Sequence, residues 1–417
     1  MNPGSDDNFS NIDACLPESV EELSALLETT HKALLSGKET DDGGSACAGL
    51  QGRLNHLCSV VDYPSEDMTI TVQAGMPFGE LRKLLETNSQ QLPVDVHDEF
   101  VSVGELVAND ISGPRIFGYG SCRDYVIGIE AVDGTGRVFH AGGRVVKNVA
   151  GYDFCRLLTG AQGRFAVLTQ LTFKLKPVRP EQRILTLRCD DWDQADSVLE
   201  VLNHSSANPV LVDLWNGVQP GAGLSKIALD SAGTIDHHRG CCVILGIDGT
   251  EAACDWQVET LAAELKHLSA ELIPGDSSAF AEYCTSATFP RGLLVVGQGL
   301  VAVATLPSRV VGVCQKLTEQ GFSVVARAGT GTVFVAPSGD AGAPANAAAI
   351  QQVLSDESNR RAECRVFSLN ADSGEGAGMN QGEHELVSRI ASRLDPAGLL
   401  VPHQEFRDNT AESPDVG

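Results

Sequence analysis

Aromatic side chains are scarce in this 417-residue chain. They make up 5% of it, so its core has to be built from Val, Leu, Ile and Ala. Positive charge is scarce as well: 30 Lys and Arg stand against 55 Asp and Glu, a net charge of -25. That balance argues against nucleic acid and anionic membrane surfaces as partners, because both demand a clustered basic face. No long unbroken apolar run is present. The longest, Gly292 to Pro307, is interrupted by Gln298 and falls short of the roughly 20 residues a membrane-spanning helix needs. None of the twelve cysteines forms a Cys-x-x-Cys pair, and only Cys241 and Cys242 are adjacent. An iron–sulfur cluster, which needs closely spaced thiolates, is therefore not expected. The opening MNPGSDDNFSNIDAC lacks the basic start and apolar stretch of a secretory leader. Together with scattered cysteines this leads to the expectation of free thiols in a reducing cytoplasm. No internal repeat of fixed period is visible.

What is present is a 42% hydrophobic chain of a length that suits two domains. Apolar residues at helical spacing predict a helix within Leu16–Leu35 and another over Phe78–Thr87. Val60–Tyr63 and Met68–Ala74 read as strands. Tyr125–Val132 and Gly136–Ala141 read as a hairpin around Asp133-Gly134, and Phe165–Leu175 as a further strand. Val101 to Asp124 reads as a long loop with a short helix at its start. Lys176-Pro177-Val178-Arg179-Pro180 marks a boundary. Beyond it strands and helices mix: strands at Arg183–Arg188, Leu211–Trp215, Cys242–Ile247, Ser323–Ala326 and Thr332–Ala336, helices at Trp192–Leu202, Trp256–Leu268 and Arg309–Glu319. Residues 337–348, 371–382 and the polar tail after Phe406 read as mobile.

Glycine turns interrupt this pattern at four places: DDGGSACAG, Ser102-Val103-Gly104, the segment from Ser112-Gly113-Pro114-Arg115 to Gly118-Tyr119-Gly120, and RVVKNVAGYDFCRLLTGAQG from Arg144 to Gly163. Any one of them is compatible with an ordinary turn. Successive amides in such turns also form nests for an anion such as pyrophosphate. Four beside apolar strands suit a long flat ligand edged by backbone. The cations Arg144, Lys147, Arg156, Arg164, Lys174, Lys176 and Arg179 gather around the last of them. They supply either a local positive field or a solvated basic face.

At these residues a resemblance enters. The run from about residue 43 to 178 resembles the FAD-binding domain of the vanillyl-alcohol oxidase/p-cresol methylhydroxylase (PCMH-type) family. Within that run, the words YG, RD, GG-x-VVKNVAGYD, RLLTG and VLTQLTFKLKP resemble the FAD-binding subunits of bacterial glycolate oxidases. The C-terminal LDPAGLL at Leu394–Leu400 resembles the end of that family, where the chain returns toward the flavin. The resemblance implies an α+β fold in which residues 1–178, with a core from about 16, form an FAD-binding domain of two α+β subdomains. Residues 179–417 then form an α+β cap-like domain. It implies that Gly43, Gly44 and Ser45 cradle the pyrophosphate, and that Ser102, Val103 and Gly104 lie near the flavin ring. Gly113, Tyr119 and Gly120 would form the second loop. Lys147, Asn148, Gly151 and Tyr152 carry the signature after the hairpin, and Gly163 and Val167 bring backbone to the cofactor. Three departures stand out. Ser45 replaces a flavin-linking His found in several members, so non-covalent FAD is expected. Glu105 replaces a second glycine, and Ala166 replaces another.

Asp236-His237-His238-Arg239-Gly240-Cys241-Cys242 has the residue types of a metal site but not the spacing, since adjacent side chains diverge. No metal is expected. His97 and His403 are candidate proton acceptors near the flavin, although a lone His more often has a structural or surface role. No catalytic residue is assigned, and the histidine-rich C-terminal motif of the larger flavoprotein subunit is missing. The resemblance implies an FAD subunit of a glycolate oxidase-like complex. Such a complex converts glycolate or another 2-hydroxy acid to the 2-oxo acid, and passes electrons to a second flavoprotein subunit and an iron–sulfur subunit. It would be cytoplasmic, or peripheral to the inner membrane through partners. Two alternatives remain open: a non-catalytic assembly subunit with a vestigial flavin fold, and a stand-alone FAD-linked dehydrogenase of another substrate.

Overall fold

A computed structural model describes residues 17–35, 54–143, 152–216, 240–268, 271–288, 301–337, 347–354, 365–368 and 381–400. Gly43, Gly44, Ser45, Lys147, Asn148, Gly151, residues 236–239 and His403 lie outside the described residues. So do 338–346, 371–380 and the tail after Phe406.

The first domain is built on a five-stranded antiparallel sheet. Its strands are β1 (Val60–Asp62), β2 (Thr69–Gln73), β4 (Val126–Asp133), β5 (Val138–Gly142) and β6 (Ala166–Lys174), in the order β1-β2-β6-β4-β5. A two-stranded ladder, β3 (Gln90–Gln91) with β7 (Lys176–Pro177), lies beside it. The expected hairpin is there, from Val126 to Gly142. Its turn is fixed by buried Asp133, which accepts the Thr135 amide at 3.0 Å and the Arg137 amide at 3.1 Å. Helices α1 (Val20–Leu35), α2 (Phe78–Glu86), α3 (Val103–Ala108), α4 (Ile116–Tyr119) and α5 (Phe154–Leu158) complete the domain. Helix α2 buries Phe78, Leu81 and Leu85, the one-sided stripe that helical spacing predicts.

The second domain is an eight-stranded antiparallel sheet. Its strands are β8 (Glu181–Cys189), β9 (Leu211–Trp215), β10 (Cys241–Gly249), β11 (Glu271–Gly275), β12 (Val301–Ala304), β13 (Phe322–Arg327), β14 (Thr332–Pro337) and β15 (Arg365–Ser368). They run in the order β11-β8-β10-β9-β13-β14-β12-β15. Strand β10 is buried on both faces, and its side chains divide by parity. Val243, Leu245 and Ile247 join one core with α6 (Trp192–His204), α7 (Glu251–Leu265) and α9 (Val310–Glu319). Cys242 and Ile244 join a second core under α8 (Ser277–Ser286). Helix α8 starts at Asp276, whose carboxylate accepts the Ala279 amide at 2.9 Å. Its buried face, Ala279, Phe280, Tyr283 and Cys284, follows helical spacing.

After α10 (Ala347–Leu354) and α11 (Gln381–Leu394) the chain returns to the first domain, where Leu399 and Leu400 join the first core. The Gly134 amide donates to the Leu394 carbonyl at 2.7 Å. Buried Asp395 accepts the Leu399 amide at 2.8 Å and the Leu400 amide at 2.9 Å. Asp395→Ala leaves two buried amides without their acceptor and is expected to cost about 1–3 kcal/mol. Urea denaturation checks this; a loss under about 0.5 kcal/mol would show that the returning segment is held by its leucines alone.

Candidate flavin site and interdomain cavity

The site grows from the end of α3. Ser102 caps that helix, accepting the Glu105 amide at 3.1 Å. The amides of Val103 and Gly104 donate to the carbonyls of Met76 at 2.9 Å and Ala74 at 2.7 Å, so Ser102–Gly104 is seated against the end of β2. All three residues are buried. Glu105 stands half-buried in the first turn, and burial, with the charge of Asp98, raises its pKa above the usual carboxylate range. His97 keeps its Nδ1 buried and unpartnered, and burial lowers its pKa.

The C-terminal end of α3 meets the 159–163 turn. The amides of Gly160 and Gln162 donate to the carbonyls of Val107 at 3.0 Å and Ala108 at 2.8 Å. Arg123 ties the two together, its amide donating to Asp110 at 3.3 Å and its guanidinium to the Thr159 carbonyl at 3.3 Å. Gly163 ends this turn, and Gly113 stands three residues beyond Asp110. Gly163 has φ +73° with nothing within 4 Å of where a Cβ would stand. Such a bare, left-handed stretch lets a flat ligand approach the backbone, and this fits a flavin cofactor. Gly113 differs. At φ +71° its missing Cβ would overlap Asp95 and stand 2.8 Å from Thr288 Oγ1 of the second domain.

Gly113 therefore sits in the domain interface, between two buried ion pairs. In the first domain Arg115 Nε donates to Asp95 at 2.7 Å. In the second, register places Arg327 of β13 directly opposite Asp213 of β9. Both are buried, and the Arg327 guanidinium donates to Asp213 and to the Ala287 carbonyl. Tyr283 of α8 donates its hydroxyl to Asp213 at 2.7 Å. Burial pushes the Asp213 pKa up to about 6, against the pull of Arg327. Between the turn Asn109–Gly113 and the second sheet lies a cavity of about 260 Å3, lined by Ser112, Thr288, Arg327, Thr330, Thr332 and Phe334 among others.

The other expected residues are placed elsewhere. Tyr119 turns toward the second domain, its hydroxyl donating to Asp248, and lines a separate cleft of about 1490 Å3. Gly120, at φ +86°, is held over the Asp124 carboxylate in a tight turn. Tyr152 is 90% exposed. Val167 is buried in β6. Arg156 is exposed and pairs with Asp153 at 3.2 Å, the surface alternative for that cation. Cys241 and Cys242 are buried in β10, and the described residues contain no cluster of metal-ligating side chains. No described helix is long and apolar enough to cross a membrane.

Sequence reasoning passed over Asp95, Arg115, Asp213, Thr288 and Arg327. A signal existed for two of them: Asp213 and Arg327 are lone charges in the otherwise apolar strands LVDLW and FSVVAR.

Residues 14–142 match the FAD binding domain family. The chain is 32% identical over 224 residues to glycolate oxidase subunit GlcE of Escherichia coli, covering 50% of this chain and 64% of that protein. It is 31% identical over 186 residues to D-2-hydroxyglutarate dehydrogenase of Xanthomonas citri pv. viticola, covering 43% of this chain and 39% of that protein. It is 31% identical over 187 residues to glycolate oxidase subunit GlcD of Bacillus subtilis, covering 43% and 40%. It thus spans between 39% and 64% of the lengths of these relatives. In fold it is similar to an alkyldihydroxyacetonephosphate synthase, with a TM-score of 0.60 at 16% identity over 93% of this chain and 76% of that one. Over residues 14–142 the chain is thus similar to an FAD binding domain, and FAD is its cofactor.

Proposed function

We propose that this chain is the FAD-binding subunit of a glycolate oxidase-like complex that oxidises a small 2-hydroxy acid to the 2-oxo acid. Electrons leave through a second flavoprotein subunit and an iron–sulfur subunit, in the cytoplasm or peripheral to the inner membrane through those partners. The observation that carries this reading is an interdomain cavity lined by the turn Asn109–Gly113, whose Asp110 borders Gly160, and by a buried arginine of the second sheet.

FAD, when bound, would supply the acceptor for the hydride equivalent, one proton with two electrons, that leaves the hydroxyl-bearing carbon, while the hydroxyl proton is released to solvent. The chain's own part is to hold and shield the reactants. Ser102, Val103 and Gly104 present a short buried turn. Gly163 keeps a side chain off the approach, and Gly113 lets Asp95 and Thr288 pack closely at the cavity wall. The resemblance assigns Gly43, Gly44, Ser45, Lys147, Asn148 and Gly151 to the rest of the cradle together with Tyr152, which is exposed, and Val167, which is buried in β6. The second domain packs Thr288 against Gly113 and buries Arg327, and polar contacts strengthen where water is sparse.

One observation favours the assembly-subunit reading: the half-buried carboxyl of Glu105 stands beside amides already committed to Met76 and Ala74. Anaerobic addition of glycolate, and separately of D-lactate, to the purified flavin-loaded chain separates the readings. Bleaching of the oxidised-flavin band by at least one acid is the expected result. A bound flavin that neither acid reduces, alone or with the partner subunits, contradicts the dehydrogenase reading.

A further inference from the structure

The interdomain cavity has the chemistry of an anion site. Arg327 is buried, its side chain 5% exposed, and it is aimed by its register opposite Asp213. Around it stand the hydroxyl-bearing residues Ser112, Thr288, Thr330 and Thr332 and the amide side chain of Asn109. At about 260 Å3 the cavity lies below the usual range for drug-sized ligands, and it suits an acid of a few carbons.

The positive charge is not simply on offer. Asp213 balances Arg327 inside the protein. A second carboxylate entering the cavity would place two anions on one guanidinium, in a medium where charges interact strongly. Asp213 also carries an unusual feature, since its Oδ1 is buried with no hydrogen-bond partner. An ionised carboxylate with an orphaned oxygen is costly, and a neutral carboxyl with a proton there costs less.

We propose that this cavity is a carboxylate subsite in which a small monocarboxylate takes a share of Arg327 from Asp213, and Asp213 takes up one proton from solvent as the anion enters. The inference rests on the 2-hydroxy acid reading for the identity of the ligand. It does not rest on it for the site. The balance is simple: one anion and one proton enter together, no bond to carbon changes, and the charge inside the cavity stays constant. The groups that face Asp213 all enter this linkage: Arg327 from β13, Tyr283 and Cys284 from α8, and the Asp95–Arg115 pair from the first domain. Tyr283 and Cys284 are buried, and their pKa values are raised by that burial, so both stay neutral near pH 7. Asp213, pushed up to about 6, is the group that titrates.

The sign follows from linkage. The bound anion weakens the hold of Arg327 on Asp213 and raises its pKa above the ligand-free value of about 6. Below that value Asp213 is already protonated and affinity is flat. Above it each bound anion must bring a proton, and affinity falls by up to about tenfold per pH unit until the bound-state value is passed. Acetate and glycolate, ordinary carboxylic acids, stay mostly ionised above about pH 5.

The test is titration of the flavin-loaded chain with acetate, which cannot be oxidised at a hydroxyl-bearing carbon, and with glycolate. Binding is read from perturbation of the flavin spectrum and from calorimetry between pH 5.5 and 8. Wild type is expected to bind both anions more weakly as pH rises, with proton uptake visible as a buffer-dependent heat. Asp213→Asn is expected to bind at least as tightly at pH 8 as wild type does at pH 5.5, with no pH dependence and no proton uptake. Arg327→Gln is expected to lose at least tenfold in affinity while retaining flavin. Thr330→Val, a milder change at the cavity wall, is expected to lose affinity without affecting folding, and it serves if Arg327→Gln does not fold.

Anion binding that is unchanged in Arg327→Gln or in Thr330→Val, or no carboxylate binding in wild type, overturns the proposal. So does a pH dependence that persists in Asp213→Asn. Arg327-dependent acetate binding without flavin reduction by any 2-hydroxy acid leaves the subsite standing and removes the dehydrogenase reading. Flavin reduction by glycolate that is indifferent to Arg327 does the reverse.

Discussion

Asp95→Ala is expected to destabilise the chain by about 3–5 kcal/mol, the cost of leaving a buried arginine without its counter-charge. Asp95 is 4% exposed and accepts from Arg115 twice, from Nε at 2.7 Å and from the backbone amide at 3.1 Å. Arg115 is itself buried, so water cannot replace the lost carboxylate. The loss should be local in origin and wide in effect, because this pair holds the turn that carries Gly113. Arg115→Met in the Asp95→Ala background removes the stranded charge and is expected to recover most of the loss. Urea denaturation of the single and double variants reads both. A single-variant loss below about 1 kcal/mol, as for an exposed pair, would contradict the account.

Gly113→Ala and Gly163→Ala form the second pair, and their difference is informative. Both glycines stand in left-handed backbone, at φ +71° and +73°, so an added Cβ costs about 1–2 kcal/mol of strain in either. Only at Gly113 does the new methyl run into Asp95 and Thr288. Overpacking there adds about 1–3 kcal/mol, and the strain falls between the two domains. Gly113→Ala is therefore expected to cost about 2–5 kcal/mol and to loosen the interface. Gly163→Ala is expected to stop at the strain term and to lower flavin retention, because its methyl projects into the open approach. Equal stability losses in the two variants would show that the interface yields to a methyl group, and that the cavity is looser than described.

These positions also show what the sequence carried. Elements set by local pattern were legible. The 78–86 helix, the hairpin across Asp133-Gly134 and the strand 166–174 each follow from spacing of apolar residues within a few turns of chain. The glycine turns were legible as turns, and Gly113 and Gly163 do carry the left-handed backbone that glycine permits. Their different roles were not legible, since these depend on whether Asp95 and Thr288 stand behind the missing Cβ. The eight-stranded sheet escaped for the same reason. Strand β9 pairs with β10 and β13, which lie far along the chain, and no local signal sets that order. The Asp213–Arg327 pair is the sharpest case. Its members are 114 residues apart and meet only through the β9–β13 register. The sequence shows two lone charges in apolar strands, but not that each is the other's partner.

The most direct test of the account is the visible absorption spectrum of the purified chain, taken before and after denaturation and ultrafiltration. An oxidised-flavin spectrum is expected in the native protein, with a flavin that passes the filter after denaturation, since Ser45 offers no histidine for a covalent link. A folded chain that stays colourless after purification with its partner subunits and added FAD would contradict it.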